Sequence, residues 1–391
     1  MESPWILVLC HEFPPLGGGA GKNLFLLCRE LTRRGLGVRV WTIDPGRGTE
    51  WKFDFPVEYI ATSRTKRFET NVGSMAAFAK GACALGWRRR RDRPVMVLAT
   101  MAIPAGLPGI FLSRLFKVPL AVWHHGSDVH AGGPEGPGWI QRLLLRRVWG
   151  RSALNYFVSA SLMGLAAKIG KQRRPRILPA CPSPEILEVP VENASLPSDA
   201  GFLFMARFDP VKNPLLALEA LALLKGEGTP VRRLRMVGSG SLEDGMFNVI
   251  RHYTLSGNVG LEAAVPFDKV PDLLRSAYAL VVPSRIEGFN TTILEAAHFG
   301  VPTVAADTPG IRDFVRDGET GLLFPENDAA GLAAALKRIS ADPGLRDSLG
   351  QRARAAAAPY RPAKVADAFL AQAEFLVPGM GALAKEASAW N

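Results

Sequence analysis

Short apolar runs of β type alternate with helical patterns along the whole chain, which is the pattern of parallel βαβ units. In the first half the runs predict strands near Trp5 to Leu9, Val38 to Ile43, Val95 to Ala99, Leu120 to Trp123 and Leu154 to Val158. A proline- and serine-rich stretch, from Pro179 to Pro184 and on through Leu196-Pro197-Ser198-Asp199, then breaks the alternation. A second set follows, with strands predicted at Phe202 to Met205, Leu234 to Val237, Val259 to Glu262, Ala279 to Val282 and Thr303 to Ala305. The expected fold class is therefore α/β, with two Rossmann-like domains at residues 1–180 and 198–360. The tail from Tyr360 to Val377 reads as helical and is expected to cross back toward the first domain, which assigns 361–391 to it.

A length of 391 residues suits two domains of ordinary size, and 48% hydrophobic with 21% charged residues is globular composition. No uninterrupted apolar run reaches the roughly 18 residues of a spanning helix, and Met1-Glu2-Ser3-Pro4 lacks a basic leader. Cys10, Cys28, Cys83 and Cys181 show no metal-type spacing, so a reducing cytoplasm is expected. Charge changes the picture more. Residues 1–200 hold 27 Lys and Arg against 15 Asp and Glu, while residues 201–391 hold 20 against 21, so the whole excess of +11 belongs to the first half. Its clusters are Arg64/Lys66/Arg67, Arg88 to Arg91 with Arg93, Arg142/Arg146/Arg147/Arg151 and Lys171/Arg173/Arg174/Arg176. Nucleic acid, an anionic membrane and an acidic substrate are the partners such a surface suits. The arginine clusters lack the aromatic platform or recognition-helix pattern of nucleic-acid modules, which sets that class aside. A helix over Trp139 to Trp149 would carry Trp139, Ile140 and Leu143 among its arginines and Leu144, Leu145, Val148 and Trp149 on a separate apolar face. That is the make-up of a helix lying on the inner face of the cell membrane.

The most informative chemistry is Glu287-Gly288-Phe289-Asn290-Thr291-Thr292-Ile293-Leu294-Glu295, which follows the predicted strand ending at Val282. Gly288 lets the chain turn, Asn290 or Thr291 is placed to cap the next helix, and the open N–H groups of Asn290 to Thr292 suit a diphosphate. Glu287 and Glu295 bracket that position, where carboxylates accept hydrogen bonds from sugar and ribose hydroxyls. Arg207 and Lys212 stand five residues apart in the loop after Met205, as two cations for a leaving diphosphate. Gly238 and Gly240 form a further strand-turn-helix, assigned to the nucleotide wall. In the first half, the loop Pro14 to Asn23 holds Gly17, Gly18 and Gly19 after strand 1, but lacks both the phosphate-loop and the dinucleotide fingerprints. Trp123-His124-His125-Gly126-Ser127-Asp128 follows another strand. His125 there can contact a sugar hydroxyl or carry charge, and Asp128 can orient it or an acceptor hydroxyl. These residues lack the spacing of a zinc site, so no metal and no cofactor are expected.

These motifs, in order over almost the whole length, resemble glycosyltransferase family 4, retaining enzymes with two facing Rossmann domains known as the GT-B fold. The resemblance rests on the Gly17 to Gly19 loop, His125 to Asp128, Arg207 to Lys212, Gly238 to Gly240, Glu287 to Glu295, Gly300-Val301-Pro302 and Pro309-Gly310 through Leu323. It implies that Arg207 and Lys212 hold the donor diphosphate, that Glu295 binds ribose and that Glu287 contacts the transferred sugar. It also implies that His125 lies near the reacting carbon and that Gly18 and Gly19 line the junction of donor and acceptor. Departures are Pro309 and Asp313 where the family usually has glycine and glutamate, and Asn290-Thr291-Thr292 for a small apolar helix start. The expectation is a metal-independent transferase moving sugar from an NDP-sugar to a glycan or lipid-linked acceptor, in which the leaving diphosphate itself takes the proton and no side chain acts as nucleophile. The rivals are a sugar-nucleotide epimerase or hydrolase on the same fold and, less well supported, a glycosidase using the two glutamates.

Overall fold

A computed structural model describes residues 4–16, 18–46, 52–62, 71–130, 136–191, 196–230 and 232–386. Gly17 and the cluster Arg64/Lys66/Arg67 lie outside the described residues. The chain divides into two compact units, Met1–Cys181 with Arg361–Asn391, and Pro182–Tyr360.

The first unit is built on seven parallel strands, β1 (Trp5–Leu9), β2 (Gly37–Ile43), β3 (Val57–Ile60), β4 (Met96–Thr100), β5 (Leu120–His124), β6 (Leu154–Phe157) and β7 (Pro175–Ile177), in the order β3-β2-β1-β4-β5-β6-β7. Order reverses between β1 and β4, so the loops leaving these strands border the crevice where open α/β sheets bind ligands. Its helices are α1 (Gly19–Arg33), α2 (Val72–Arg88), α3 (Leu107–Phe116), α4 (Trp139–Arg151) and α5 (Ala160–Ile169). Strands β4 and β5 are buried along their whole length, as expected for strands covered on both faces. Buried Asn23, in the first turns of α1, donates to Gly19 O at 2.8 Å and accepts from Cys181 N–H at 2.8 Å. One amide thus holds the start of α1 and the last residue of the unit.

The second unit repeats the plan with β8 (Phe202–Met205), β9 (Leu234–Val237), β10 (Val259–Glu262), β11 (Ala279–Val282), β12 (Thr303–Ala306) and β13 (Gly321–Phe324), in the order β10-β9-β8-β11-β12-β13. Its helices are α6 (Pro184–Leu187), α7 (Pro214–Gly226), α8 (Glu243–His252), α9 (Val270–Arg275), α10 (Thr291–His298), α11 (Pro309–Arg312), α12 (Ala329–Ala341) and α13 (Pro343–Ala356). Side chains alternate across the pleat into two cores. Phe202, Phe204, Ala279 and Val281 enter one, and Leu203, Leu280 and Val282 enter the other. Reversal of order falls between β8 and β11.

After Tyr360 the chain returns to the first unit as α14 (Pro362–Ala373) and α15 (Met380–Glu386). Helix α14 packs on α1 and buries Val365, Phe369 and Leu370, with the Phe369 ring against Tyr156. Arg34, its side chain 4% exposed, bonds Asp367 at 2.6 Å and Ala363 O at 2.9 Å, and the Tyr156 hydroxyl donates to Phe369 O at 3.4 Å. The stretch read as a linker does not stay irregular, because Pro184–Leu187 forms the short helix α6 and Ile186 packs into the core of the second unit.

Candidate functional site

In the second unit the loops leaving β8, β9 and β11 are tied to one another by backbone bonds. Val211 O accepts from Arg285 N–H at 2.9 Å, and Ser239 O accepts from Phe208 N–H at 2.9 Å. A Cβ on Gly240 would stand 2.3 Å from Phe208 O, so the Gly238 to Gly240 turn lies directly on the loop of Arg207. Asp209 organises that loop. Its Oδ1 accepts from Lys212 N–H at 2.9 Å, a side-chain turn that aims Lys212 across the reversal of strand order. Lys212 Nζ then meets Glu287 Oε1 at 2.8 Å, and Asn290 Nδ2 donates to the same oxygen at 2.9 Å. Glu287 is 8% exposed, so its charge is held in a setting of reduced screening, with a cation and an amide beside it.

Two expectations need correction here. Asn290 occupies the capping position of α10 but makes no capping bond with its side chain, because its amide is committed to Glu287. The first turn of α10, including Thr291 and Thr292, is left without a side-chain cap, which keeps its N–H groups open to an anion. The two loop cations are not free. Lys212 pairs with Glu287, and Arg207, its side chain 62% exposed, pairs with Asp209 at 3.1 Å. Glu295, 8% exposed in α10, accepts from Ser183 N–H at 3.4 Å. Gly310 at the start of α11 touches the same site. A Cβ there would lie 2.2 Å from Glu287 O and 3.0 Å from the carbonyl carbon of Gly288. The departing motif Pro309-Gly310 therefore keeps the one glycine on which the Glu287 turn rests.

In the first unit, Gly18 precedes α1 and Gly19 opens it, and a Cβ on either would meet nothing within 4 Å. The loop after β5 is partly buried, with Gly126, Asp128 and Val129 inside, His125 half-buried and Ser127 exposed. His125 lies against the Trp123 ring at 4.4 Å between centroids, and its Nε2 is buried without a hydrogen-bond partner among the described residues. Burial, partly opposed by Asp128 and reinforced by His124, pushes its pKa down from 6.5 to about 3. The expected charge-carrying role is corrected to that of a neutral imidazole, which can donate one hydrogen bond and accept another. Asp128 does not orient His125. Its Oδ2 accepts from His124 Nδ1 at 2.8 Å and from Ala102 N–H at 2.7 Å, and its Oδ1 is buried without a partner among the described residues. Burial would raise the Asp128 carboxyl, but His124 and the backbone N–H groups outweigh it and hold the group below its ordinary range. His124, which the sequence reading passed over, is fully buried and stacked on Phe157. Only its polarity at the end of an otherwise apolar strand marks it.

Helix α4 buries Leu145, Val148 and Trp149. Its other face exposes Trp139 (75%), Ile140 (53%) and Leu143 (60%) beside exposed Arg142, Arg146, Arg147 and Arg151. Among the described residues no helix is long and apolar enough to cross a membrane, and no group of three or more His, Cys, Asp or Glu is arranged to hold a metal ion. None of the four cysteines forms a disulfide.

Residues 189–356 match the family described as Glycosyl transferases group 1. A D-inositol 3-phosphate glycosyltransferase of Streptomyces bingchenggensis is 36% identical over 167 residues, which is 40% of this chain and 37% of that relative's length. A glycogen synthase of Mycobacterium tuberculosis is 27% identical over 377 residues, covering 90% of this chain and 89% of that one. HepE of Anabaena, solved in complex with UDP and glucose, superposes with a TM-score of 0.74 at 18% identity over 95% of this chain and all of that one. Residues 189–356 are thus similar to the group 1 glycosyltransferases, and both units of the chain have the Rossmann-like architecture of the GT-B fold.

Proposed function

We propose that the chain moves a sugar from a nucleoside diphosphate sugar to a glycan or lipid-linked acceptor, with retention of anomeric configuration and without a metal ion. The observation that carries the reading is the Lys212–Glu287 contact across the strand-order reversal of the second unit, beside an uncapped helix start. An NDP-sugar has the matching chemistry. Its diphosphate suits the open N–H groups of α10 and the cations Lys212 and Arg207, and its ribose diol suits Glu295. Glu287 uses one oxygen on Lys212 and Asn290, which leaves the other for a hydroxyl of the transferred sugar. Gly238 belongs to the nucleotide wall. In the first unit, neutral His125 and the unpaired oxygen of Asp128 serve hydroxyl groups, and Gly18 and Gly19 allow close approach of substrate to backbone. Lys212 and Arg207 neutralise charge on the departing diphosphate, whose oxygen takes the proton of the acceptor hydroxyl as the new glycosidic bond forms on the face being vacated. No side-chain nucleophile is required. The names of the curated relatives and the UDP and glucose bound to HepE make a UDP-hexose the first donor to try.

The acceptor side is read from α4. Exposed Trp139, Ile140 and Leu143 interleaved with four arginines form the surface of an interfacial helix, and each basic residue near an anionic leaflet contributes about 1 kcal/mol. A cytoplasmic enzyme docked in this way reaches a lipid-linked acceptor. The deciding experiment for the reaction class is a melting-temperature screen over UDP-, GDP- and ADP-sugars, followed by proton NMR of the product formed from the best binder. A stabilising NDP-sugar and an α-linked product from an α-linked donor are expected. An epimer or free sugar as the principal product, with no glycoside formed on any acceptor, would overturn the reading in favour of the epimerase or hydrolase.

A further inference from the structure

Behind the His125 loop runs a buried chain of hydrogen bonds that the proposed reaction does not yet use. Trp149, on the inner face of α4, donates its indole N–H to His124 Nε2 at 3.1 Å. An indole can only donate, so Nε2 must accept and the ring proton of His124 sits on Nδ1. That proton is given to Asp128 Oδ2 at 2.8 Å, and the same oxygen takes the Ala102 N–H at 2.7 Å from the loop after β4. Trp149 and His124 are fully buried, and the Asp128 side chain is 1% exposed. Three elements, α4, the end of β5 and the β4 loop, thus converge on one carboxylate. One of its oxygens takes two donors, and the other has no partner among the described residues, in a place where an unpaired carboxylate oxygen is costly.

We propose that His124 is a positioning residue for the transfer reaction: locked in one tautomer by Trp149, it holds Asp128 with Oδ1 unpaired, to accept from a hydroxyl group of the substrate. The inference rests on the transferase reading, since without a polyhydroxyl substrate Oδ1 has nothing to accept from. It also gives α4 a second role, because the helix that shows Trp139 and Leu143 outward sets the tautomer at the site through its inner face. The titratable groups facing Asp128 are His124 and His125.

The test compares His124→Asn, whose amide N–H can stand where Nδ1–H stood, with His124→Phe, which keeps the ring against Phe157 and donates nothing. Trp149→Phe removes the tautomer lock. Initial rates are followed as UDP release from UDP-glucose, or from the NDP-sugar that stabilises the parent most, with octyl glucoside as acceptor probe. His124→Phe is expected to lower kcat on the order of 100-fold with donor KM little changed, and His124→Asn to recover most of that loss. In His124→Phe the acid limb of the kcat profile should also move to higher pH, because Asp128 keeps its burial and loses the His124 donor. A merely structural role would lower the rate equally at every pH. Parent-like kcat and pH profile in His124→Phe, or equal damage with no pH shift in both His124 variants, would overturn the proposal. A separate readout needs no substrate: the low-field imidazole N–H resonance of the parent should vanish in His124→Phe and in Asp128→Asn, and its absence from the parent would also refute the bond. If the parent transfers no sugar while that resonance is present, the transferase reading fails and the positioning geometry stands.

Discussion

His125→Phe should remove most of an acid-sensitive component of stability in the first unit. The imidazole is held neutral by burial, with its pKa pushed from 6.5 to about 3, whereas in the unfolded chain it titrates near 6.5. A depressed folded pKa contributes stability that is complete above the unfolded value and is lost as pH falls from 6.5 toward 3, because only the unfolded chain takes up the proton. At pH 7 little is lost. At pH 5 the unfolded imidazole is almost fully protonated and the folded one is not, a penalty of about 2 kcal/mol. For a unit of this size that is a fall in melting temperature of roughly 4 to 8 °C. Phenylalanine keeps a ring against Trp123 and has no proton to bind. Asp128, whose carboxyl is held below its ordinary range, adds its own loss only at lower pH. All eight tryptophans lie in the first unit, so tryptophan fluorescence reports its melting alone. The quantity to compare is the shift between pH 7 and pH 5 in parent and variant, which cancels every other titrating group. A parent shift exceeding the variant shift by several degrees is expected. Parallel shifts would refute the buried neutral imidazole.

Lys212→Ala and Glu295→Ala should each weaken binding of the stabilising NDP-sugar by about 2 to 4 kcal/mol in isothermal titration, and unchanged affinity in either would remove that residue from the donor site. Transfer should persist in excess EDTA, since Lys212 and Arg207 supply the positive charge; loss on chelation with recovery in magnesium or manganese would replace this by a metal-assisted mechanism. The protein should sediment with phosphatidylglycerol vesicles at low salt and not with phosphatidylcholine vesicles, and Arg142/Arg146/Arg147→Glu should leave it in the supernatant; equal recovery from both lipids would point to a soluble acceptor. Arg34→Ala should lower the stability of the first unit by about 1.5 to 3 kcal/mol in urea unfolding, as it cuts the bonds to Asp367 and Ala363 that hold the returning α14.

How far the fold could be read from the chain depended on burial. Strands β8, β9 and β11 end where their apolar runs end, because the inner strands of the second sheet are covered on both faces and water exclusion writes itself into consecutive residues. Strands β3 and β7 were missed for the opposite reason. They lie at the two edges of the first sheet, where Val57–Ile60 carries Glu58 and a half-exposed Tyr59, and Pro175–Ile177 opens with proline and is mostly exposed. Strand β13 was hidden because Gly321-Leu322-Leu323-Phe324 follows a run of turn residues and reads as the end of a loop. At the candidate site, the spacing of Glu287 and Glu295 is local and was legible. That Glu287 would hold Lys212, 75 positions away, was not. Nor was the partner of Asp128. Two adjacent histidines at a strand end alternate in direction, and only the packing of Trp149 and Phe157 decides that His124 turns inward to the carboxylate.

The backbone contact of Gly310 with the Glu287 turn bears on how donor preference in this chain can be re-engineered. With 2.2 Å between a Cβ at position 310 and the Glu287 carbonyl, any side chain there displaces main chain, so the loop of Glu287 and the start of α11 are fitted to each other. Grafting only residues 287–295 from a homologue would leave the Glu287 carbonyl without its fitted neighbour, and grafting only residues 307–313 would do the same in reverse. A chimera that exchanges the segment from β11 through α11 as one block keeps the two loops in register and is the smallest unit in which a new sugar preference can be transplanted intact.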